Sequence, residues 1–222
     1  QGVAYRSESM SALKSDVSVR VYHVSDETSA LRMRNEWTLE LSDSMVRVKQ
    51  VVHLENPTRT TIDYTNARRG FRVPTLSHGL SNNRVVAYGM FPKGPLHGDV
   101  SPSTGQGRVE SEDGAVVYRG PVLPGDGLFF RVAYNIPYSQ EALQLATVAE
   151  VPIREAVVSI VWTRKVHPRI RLNRGHRALQ SEQGGFLRID CMVNGRIDAG
   201  TPFVIYLDRM PAASPVPRWI AL

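Results

Sequence analysis

Between Met45 and Glu55 the chain alternates: Val46, Val48, Val52 and Leu54 fall on one face of an extended backbone, and Arg47, Lys49, His53 and Glu55 fall on the other. That period of two predicts a strand with one buried face. Asn56-Pro57 ends it, because proline has no amide to give to a ladder. Upstream, Trp37, Leu39 and Leu41 oppose Glu36, Thr38 and Glu40, and Ser42-Asp43-Ser44 has the composition of a turn. Residues Asn35 to Glu55 are therefore expected to form a β-hairpin. Asp16 to Val24 alternates as well, with Val17, Val19, Val21 and His23 on one side, and the threonine-rich Thr58 to Tyr64 suits a further strand.

The same reading continues downstream. RGFRVPTL (Arg69 to Leu76) predicts a short strand broken at Pro74, and Arg84 to Phe91 a clearer one. Pro92 to Gly107, rich in proline, glycine and serine, predicts a long surface loop. Arg108 to Glu112 and Ala115 to Tyr118 flank Asp113-Gly114, a strong hairpin dipeptide. After the corner GPVLPGDG, Leu128, Phe130, Val132, Tyr134 and Ile136 share a face until Pro137. Ser139 to Gln144 could nucleate one helical turn, but the continuation to Val151 alternates like a strand. Glu155 to Trp162 is nearly continuously apolar and predicts a central strand. Ile170 to Leu172, Phe186 to Val193 and Phe203 to Leu207 follow, with Gly184-Gly185 and Asn194-Gly195 as turns. No segment carries a helical apolar stripe, so the expected fold class is all-β, an antiparallel β-sandwich.

A weak internal echo bears on domain count. Gly125 through Tyr134 and Pro137 is matched by Gly200 through Leu207 and Pro211, each a glycine corner, an apolar strand and a proline stop. This suggests an N-terminal arm over 1–14, a first sandwich over 15–137, a smaller second one over 138–211 and a C-terminal linker over 212–222. A single fused sandwich is the alternative.

Composition changes this picture little. With 42% apolar and 22% charged residues, the chain has the make-up of an ordinary globular protein. The net charge of +6 favours anionic neighbours, yet the basic residues are scattered, as in Arg68-Arg69 and Arg164-Lys165, which argues against nucleic acid. Cys191 is the only cysteine, so an intrachain disulfide and a thiolate zinc cluster are excluded.

Catalytic chemistry finds no foothold in the pattern. The six histidines, at 23, 53, 78, 97, 167 and 176, show no metal-binding spacing. His23, on an apolar strand face, is expected to be a core histidine rather than a ligand. His78 and His97 lie near Asp99, but no G-x-S-x-G elbow accompanies them. Glu110 with Glu112 or Asp113 is the one carboxylate grouping to weigh for glycoside hydrolysis, against the plainer reading of a solvated hairpin face. Phosphate-loop and calcium-loop motifs are absent. The chain is thus expected to be non-enzymatic and to need no cofactor. Trp37, Trp162, Phe130 and Tyr134 are expected in the core. Phe91, Tyr118 and Phe129, with Arg69, Arg84 and Arg131, are the candidate partner-contact residues, and an exposed sheet edge that accepts a partner strand is the generic alternative.

The segment VHLENPTRTTIDY, with its strand, Asn-Pro turn and threonine-rich strand, resembles bacterial immunoglobulin-like and fibronectin-III-like envelope domains, as does VLPGDGLFFRVAY, where Leu123, Pro124 and Gly125 turn into a late strand. The resemblance implies two immunoglobulin-like units in tandem and an exported, envelope-tethered protein of a Gram-negative bacterium whose partners are other envelope proteins; it specifies a superfold rather than an activity. The final PRWIAL has the basic residue and tryptophan found where a membrane helix meets water. A signal peptide before Gln1 and a membrane anchor after Leu222 are the corresponding expectations. A carbohydrate-binding or carbohydrate-processing domain is the competing reading.

Overall fold

A computed structural model describes residues 23–25, 27–65, 70–78, 107–112, 115–125, 127–138, 141–163 and 168–210. The strands in chain order are β1 (Val24–Ser25), β2 (Arg32–Leu41), β3 (Met45–Glu55), β4 (Thr61–Asp63), β5 (Phe71–Arg72), β6 (Ser77–His78), β7 (Arg108–Glu112), β8 (Ala115–Arg119), β9 (Pro121–Val122), β10 (Gly127–Pro137), β11 (Ala142–Val148), β12 (Ile153–Thr163), β13 (Arg169–Leu172), β14 (His176–Gln183), β15 (Phe186–Val193) and β16 (Pro202–Asp208). The one helical element among the described residues is a single 3-10 turn at Thr28–Ala30. The fold is all-β, as the alternation predicts.

The strands β10-β3-β2-β12-β15-β14 make a six-stranded sheet. Smaller sheets run β13-β16-β11-β6, β5-β8-β7 and β1-β4-β9. Pairing is antiparallel except for β1 with β4 and β2 with β12. The hairpin of β2 and β3 closes on Ser42, whose hydroxyl donates to the Met45 carbonyl at 2.8 Å. Val46, Val48, Val52 and Leu54 of β3 point inward and are fully buried, each contributing about 1.5–3 kcal/mol by leaving water.

Opposite this inner face lie two of the smaller sheets. Trp37 of β2 stacks on Phe203 of β16 with ring centroids 5.4 Å apart. Phe130 of β10 packs against Phe71 of β5 at 5.7 Å and edge-on to Tyr118 of β8 at 5.5 Å. One continuous core holds all of these together with Val158, Ile160, Trp162 and Cys191. Burial in that core, with the negative charge of Asp190 beside it, raises the Cys191 thiol above its ordinary value.

The boundary expected at 137/138 does not separate two sheets. β2 of the first segment and β12 of the second pair directly, Arg34 beside Glu155 through Glu40 beside Val161, and their side chains share the core. The reason is visible in β12: an almost uninterrupted apolar strand needs neighbours on both sides and cover above, which β2, β15 and the small sheets supply. The two copies of the sequence echo, in β10 and β16, belong to different sheets.

The two segments that carry the envelope-domain resemblance meet. β3 and β10 pair over their whole length, Glu55 opposite Gly127 and Met45 opposite Pro137. At the end of β3 the buried Asn56 side chain donates to the carbonyls of Thr60 and Val122, both at 2.8 Å, while the main-chain carbonyl of Asn56 accepts the amide of Gly125 at 2.8 Å. Gly125 has φ +76°, a conformation that suits glycine at this corner. His23 departs from expectation. It is exposed, because the strand it precedes is only two residues long and the pairing uses its backbone, whose carbonyl accepts the Thr61 amide at 2.7 Å.

Candidate functional site

The outer face of the six-stranded sheet is where the candidate contact residues must be judged. Successive odd positions of β10 and β3, even positions of β2, and their partners on β12, β15 and β14 line it, as the registers require. Its charged residues are largely paired. Glu40 lies between Lys49 and Arg47. Arg34 Nε donates to Glu155 at 2.7 Å across the parallel β2/β12 pair. Toward the other border, Ser159 donates to Asp190 at 2.5 Å, and Arg188 donates to both, Nε to Asp190 at 2.8 Å and Nη2 to Ser159 at 3.0 Å.

Apolar groups sit between these pairs. Met45, Val51, Phe129, Leu179, Phe186 and Met192 all lie on this face, and apart from Val24 they are the only large hydrophobic side chains exposed among the described residues. Phe129 is 45% exposed and stacks on His53 at 4.1 Å with the rings nearly parallel. The imidazole has room because its neighbour is Gly127, where an added Cβ would come within 2.3 Å of Nε2.

Of the six residues expected to touch a partner, the structure brings two together. Phe129 and Arg131 are exposed on the same face of β10. Tyr118 is a correction: it is 1% exposed, its hydroxyl donates to the Pro121 carbonyl at 2.9 Å, and its ring occupies space left by Gly107 and Gly120. The strand β8 carries apolar residues on successive positions, Val116, Val117 and Tyr118, all buried, so its alternation gives no clue to which side faces out. Arg69, Arg84 and Phe91 lie outside the described residues, as do His97, Asp99 and most of the loop to Gly107.

Of the carboxylate grouping, Glu110 is held between Arg108 and Arg119, each with Nε at 2.8 Å, while the Glu112 side chain and Asp113 lie outside the described residues. Among the described residues no three His, Cys, Asp or Glu side chains gather in a way that could hold a metal ion, and no helix is long and apolar enough to cross a membrane. Sequence reasoning missed Leu179, Phe186 and Met192, since single apolar residues on polar strands announce nothing until the register shows that they share a face.

No family model matches the chain, and no curated protein does. Among solved structures it is similar to a candidate protease from Parabacteroides distasonis, with 13% identity and a TM-score of 0.43 over 81% of this chain and 40% of that one. It is also similar to the M1 zinc metallopeptidase from Deinococcus radiodurans, with 10% identity and a TM-score of 0.42 over 80% of this chain and 42% of that one. The chain spans less than half the length of either. Likenesses this distant carry no activity over to it.

Proposed function

We propose that this chain is a non-enzymatic, extracytoplasmic β-sandwich module that acts by protein-protein contact within a bacterial envelope assembly. The observation that carries the reading is the outer face of the six-stranded sheet, where exposed Met45, Val51, Phe129, Leu179, Phe186 and Met192 stand among paired charges. Interaction surfaces combine apolar anchors with satisfied polar groups in this way. The envelope location rests on the sequence resemblance.

The test is site-specific photo-crosslinking in native membranes from positions 51 and 192, with the double substitution Phe129→Glu and Phe186→Glu as control. A small, reproducible set of envelope proteins should appear as adducts, and the double variant should abolish them while keeping the melting temperature. Recovery of the protein without adducts would overturn the reading. Specific binding on a glycan array, lost with Phe129→Ala, would replace it with the carbohydrate-binding alternative, for which Phe129 is, among the described residues, the one exposed aromatic ring stacked in place.

A further inference from the structure

The basic residues are scattered along the chain, but the acidic ones leave a gap. Between Glu155 and Glu182 there is no aspartate or glutamate, while Arg164, Lys165, Arg169, Arg171, Arg174 and Arg177 bring a charge of +6, as large as the net charge of the whole chain. From Arg169 on, this stretch forms β13, the connection 173–175 and β14. β13 borders the four-stranded sheet and β14 the six-stranded one, so the connection carries the chain across one edge of the sandwich. Ile170 and Leu172 pack against the core, which turns Arg169 and Arg171 outward. Both are exposed. The connection itself is pinned: the Asn173 side chain donates to the Pro202 carbonyl and accepts the Val204 amide, both at 3.0 Å, and the Gly175 carbonyl accepts the Asn194 amide at 2.8 Å. On β14, Arg177 stands opposite Met192 with Leu179 next along the same face. All three are exposed.

Not every charge at this edge is available. Arg171 lies over the Tyr206 ring at 5.5 Å and donates to Asp208 at 3.2 Å. Asp208, which stands opposite Arg169 in the ladder, is thus drawn to Arg171 instead. On β15, Asp190 is taken up by Arg188 at 2.8 Å and by Ser159, and Glu182 toward the far end of β14 also has a partner. Arg169, Arg174 and Arg177 are what is left. Among the described residues no carboxylate pairs with any of them.

We propose that this edge docks, through Arg169, Arg174 and Arg177, on the surface of a bilayer containing anionic phospholipid, with Leu179 and Met192 entering the headgroup boundary beside Arg177. Charge complementarity names the sign of the partner. Its extent follows from the placement: three guanidiniums spread over two border strands and the corner between them suit an extended surface, whose lipids diffuse to each, better than a single phosphate. The apolar neighbours decide between polyanions. Leu179 and Met192 are aliphatic, so they can leave water at the boundary between headgroups and acyl chains, but they offer no ring on which a nucleic-acid base could stack. Tyr206 is already covered by Arg171. The contact adds a lipid surface to the protein partners proposed above and does not depend on them.

Co-flotation of the 222-residue chain with vesicles of phosphatidylcholine, alone or with phosphatidylglycerol as about a third of the lipid, reads the contact directly. Each arginine at an anionic surface contributes about fivefold to partitioning, so the mixed vesicles should bind the chain about a hundredfold more tightly than phosphatidylcholine alone. The difference should collapse between about 0.05 and 0.5 M salt as screening sets in. Arg169→Gln with Arg177→Gln should weaken binding to the mixed vesicles about 25-fold. Arg32→Gln with Arg47→Gln, the same loss of charge on the β2/β3 hairpin, should leave it within about twofold. All four side chains are exposed, so both double variants should keep the circular dichroism and melting temperature of the parent. Equal binding to the two kinds of vesicle, an equal loss in the two double variants, or displacement from the mixed vesicles by an equal charge of a short DNA duplex overturns the proposal. Vesicle binding without adducts from positions 51 and 192 leaves the lipid contact standing and defeats the protein module. Adducts without vesicle binding do the reverse.

Discussion

β10 and β14 border the same sheet, yet they are held there by different physics. β10 buries Leu128, Phe130, Val132, Tyr134 and Ile136 in the core and pairs with β3 along eleven residues. β14 pairs with β15 along eight residues, and from Arg177 to Glu182 all of it is exposed. The ladders are alike, but a hydrogen bond exchanged with water contributes only about 0.5–1.5 kcal/mol net, whereas each large buried side chain adds about 1.5–3 kcal/mol. The β10 border is thus fastened to the fold by its side chains. The β14 border is held by its own hairpin, and its exposed side chains add little to the fold.

The largest expected contrast tests that division directly. Phe130→Ala empties space against Phe71 and Tyr118 and should cost about 3–5 kcal/mol. Leu179→Ala should stay within about 0.5 kcal/mol. Urea unfolding measures both. A loss above about 2 kcal/mol for Leu179→Ala would mean that β14 is packed after all.

Tyr134 sharpens the β10 side. Its buried hydroxyl accepts the Leu76 amide at 2.6 Å, and burial holds its phenol above the ordinary value even though that amide pulls the other way. Tyr134→Phe leaves the Leu76 amide buried without an acceptor, at an expected cost of about 1–3 kcal/mol. The same unfolding experiment reads it, and a neutral result would show that the amide finds water.

How far the sequence disclosed all this follows the same division. Strands that bury alternate residues were legible: β2, β3 and β10 announce themselves through Trp37, Val48 and Phe130, because burial imposes the period, and β12 through its almost unbroken apolar run. β14 was not, since HRALQSEQ has no buried side to impose one. The parallel pairing of β2 with β12 was also hidden, as no local pattern encodes which distant strand completes a sheet. The candidate site suffered most. Phe129 and Arg131 were legible as outward residues of an alternating strand, Tyr118 was misplaced by the apolar run Val116 to Tyr118, and Leu179, Phe186 and Met192 became a group only through register.

A pH titration separates the borders in a third way. Tyr138, just past β10, gives its hydroxyl to the Ser42 carbonyl, and burial with the nearby charge of Asp43 pushes its pKa up to about 12. Unfolded tyrosine ionises near pH 10. Below pH 10 the phenol is protonated in both states and its contribution to stability is fully present; from pH 10 through about 12 the unfolded state ionises first and stability falls. Tyr64 and Tyr134, also raised by burial, act in the same direction. Tyr138→Phe should therefore flatten the fall of the urea midpoint above pH 10, whereas substitutions in β14, which has no tyrosine, should leave the slope unchanged.

The smallest effect is expected at Arg188, on the strand next to β14. Its guanidinium bridges Asp190 and Ser159, but its side chain is 47% exposed, and an ion pair in that much water gains little over separate solvation. Arg188→Ala also leaves the Ser159 to Asp190 hydrogen bond in place, so no buried polar group loses its last partner. The expected loss is below about 1 kcal/mol and shrinks further in salt. A salt-independent loss above about 2 kcal/mol, measured by unfolding with and without added sodium chloride, would instead make this trio a desolvated network. The β14 side of the sheet would then be fastened by polar groups as firmly as the β10 side is by apolar ones, and its exposed edge would no longer stand apart from the fold.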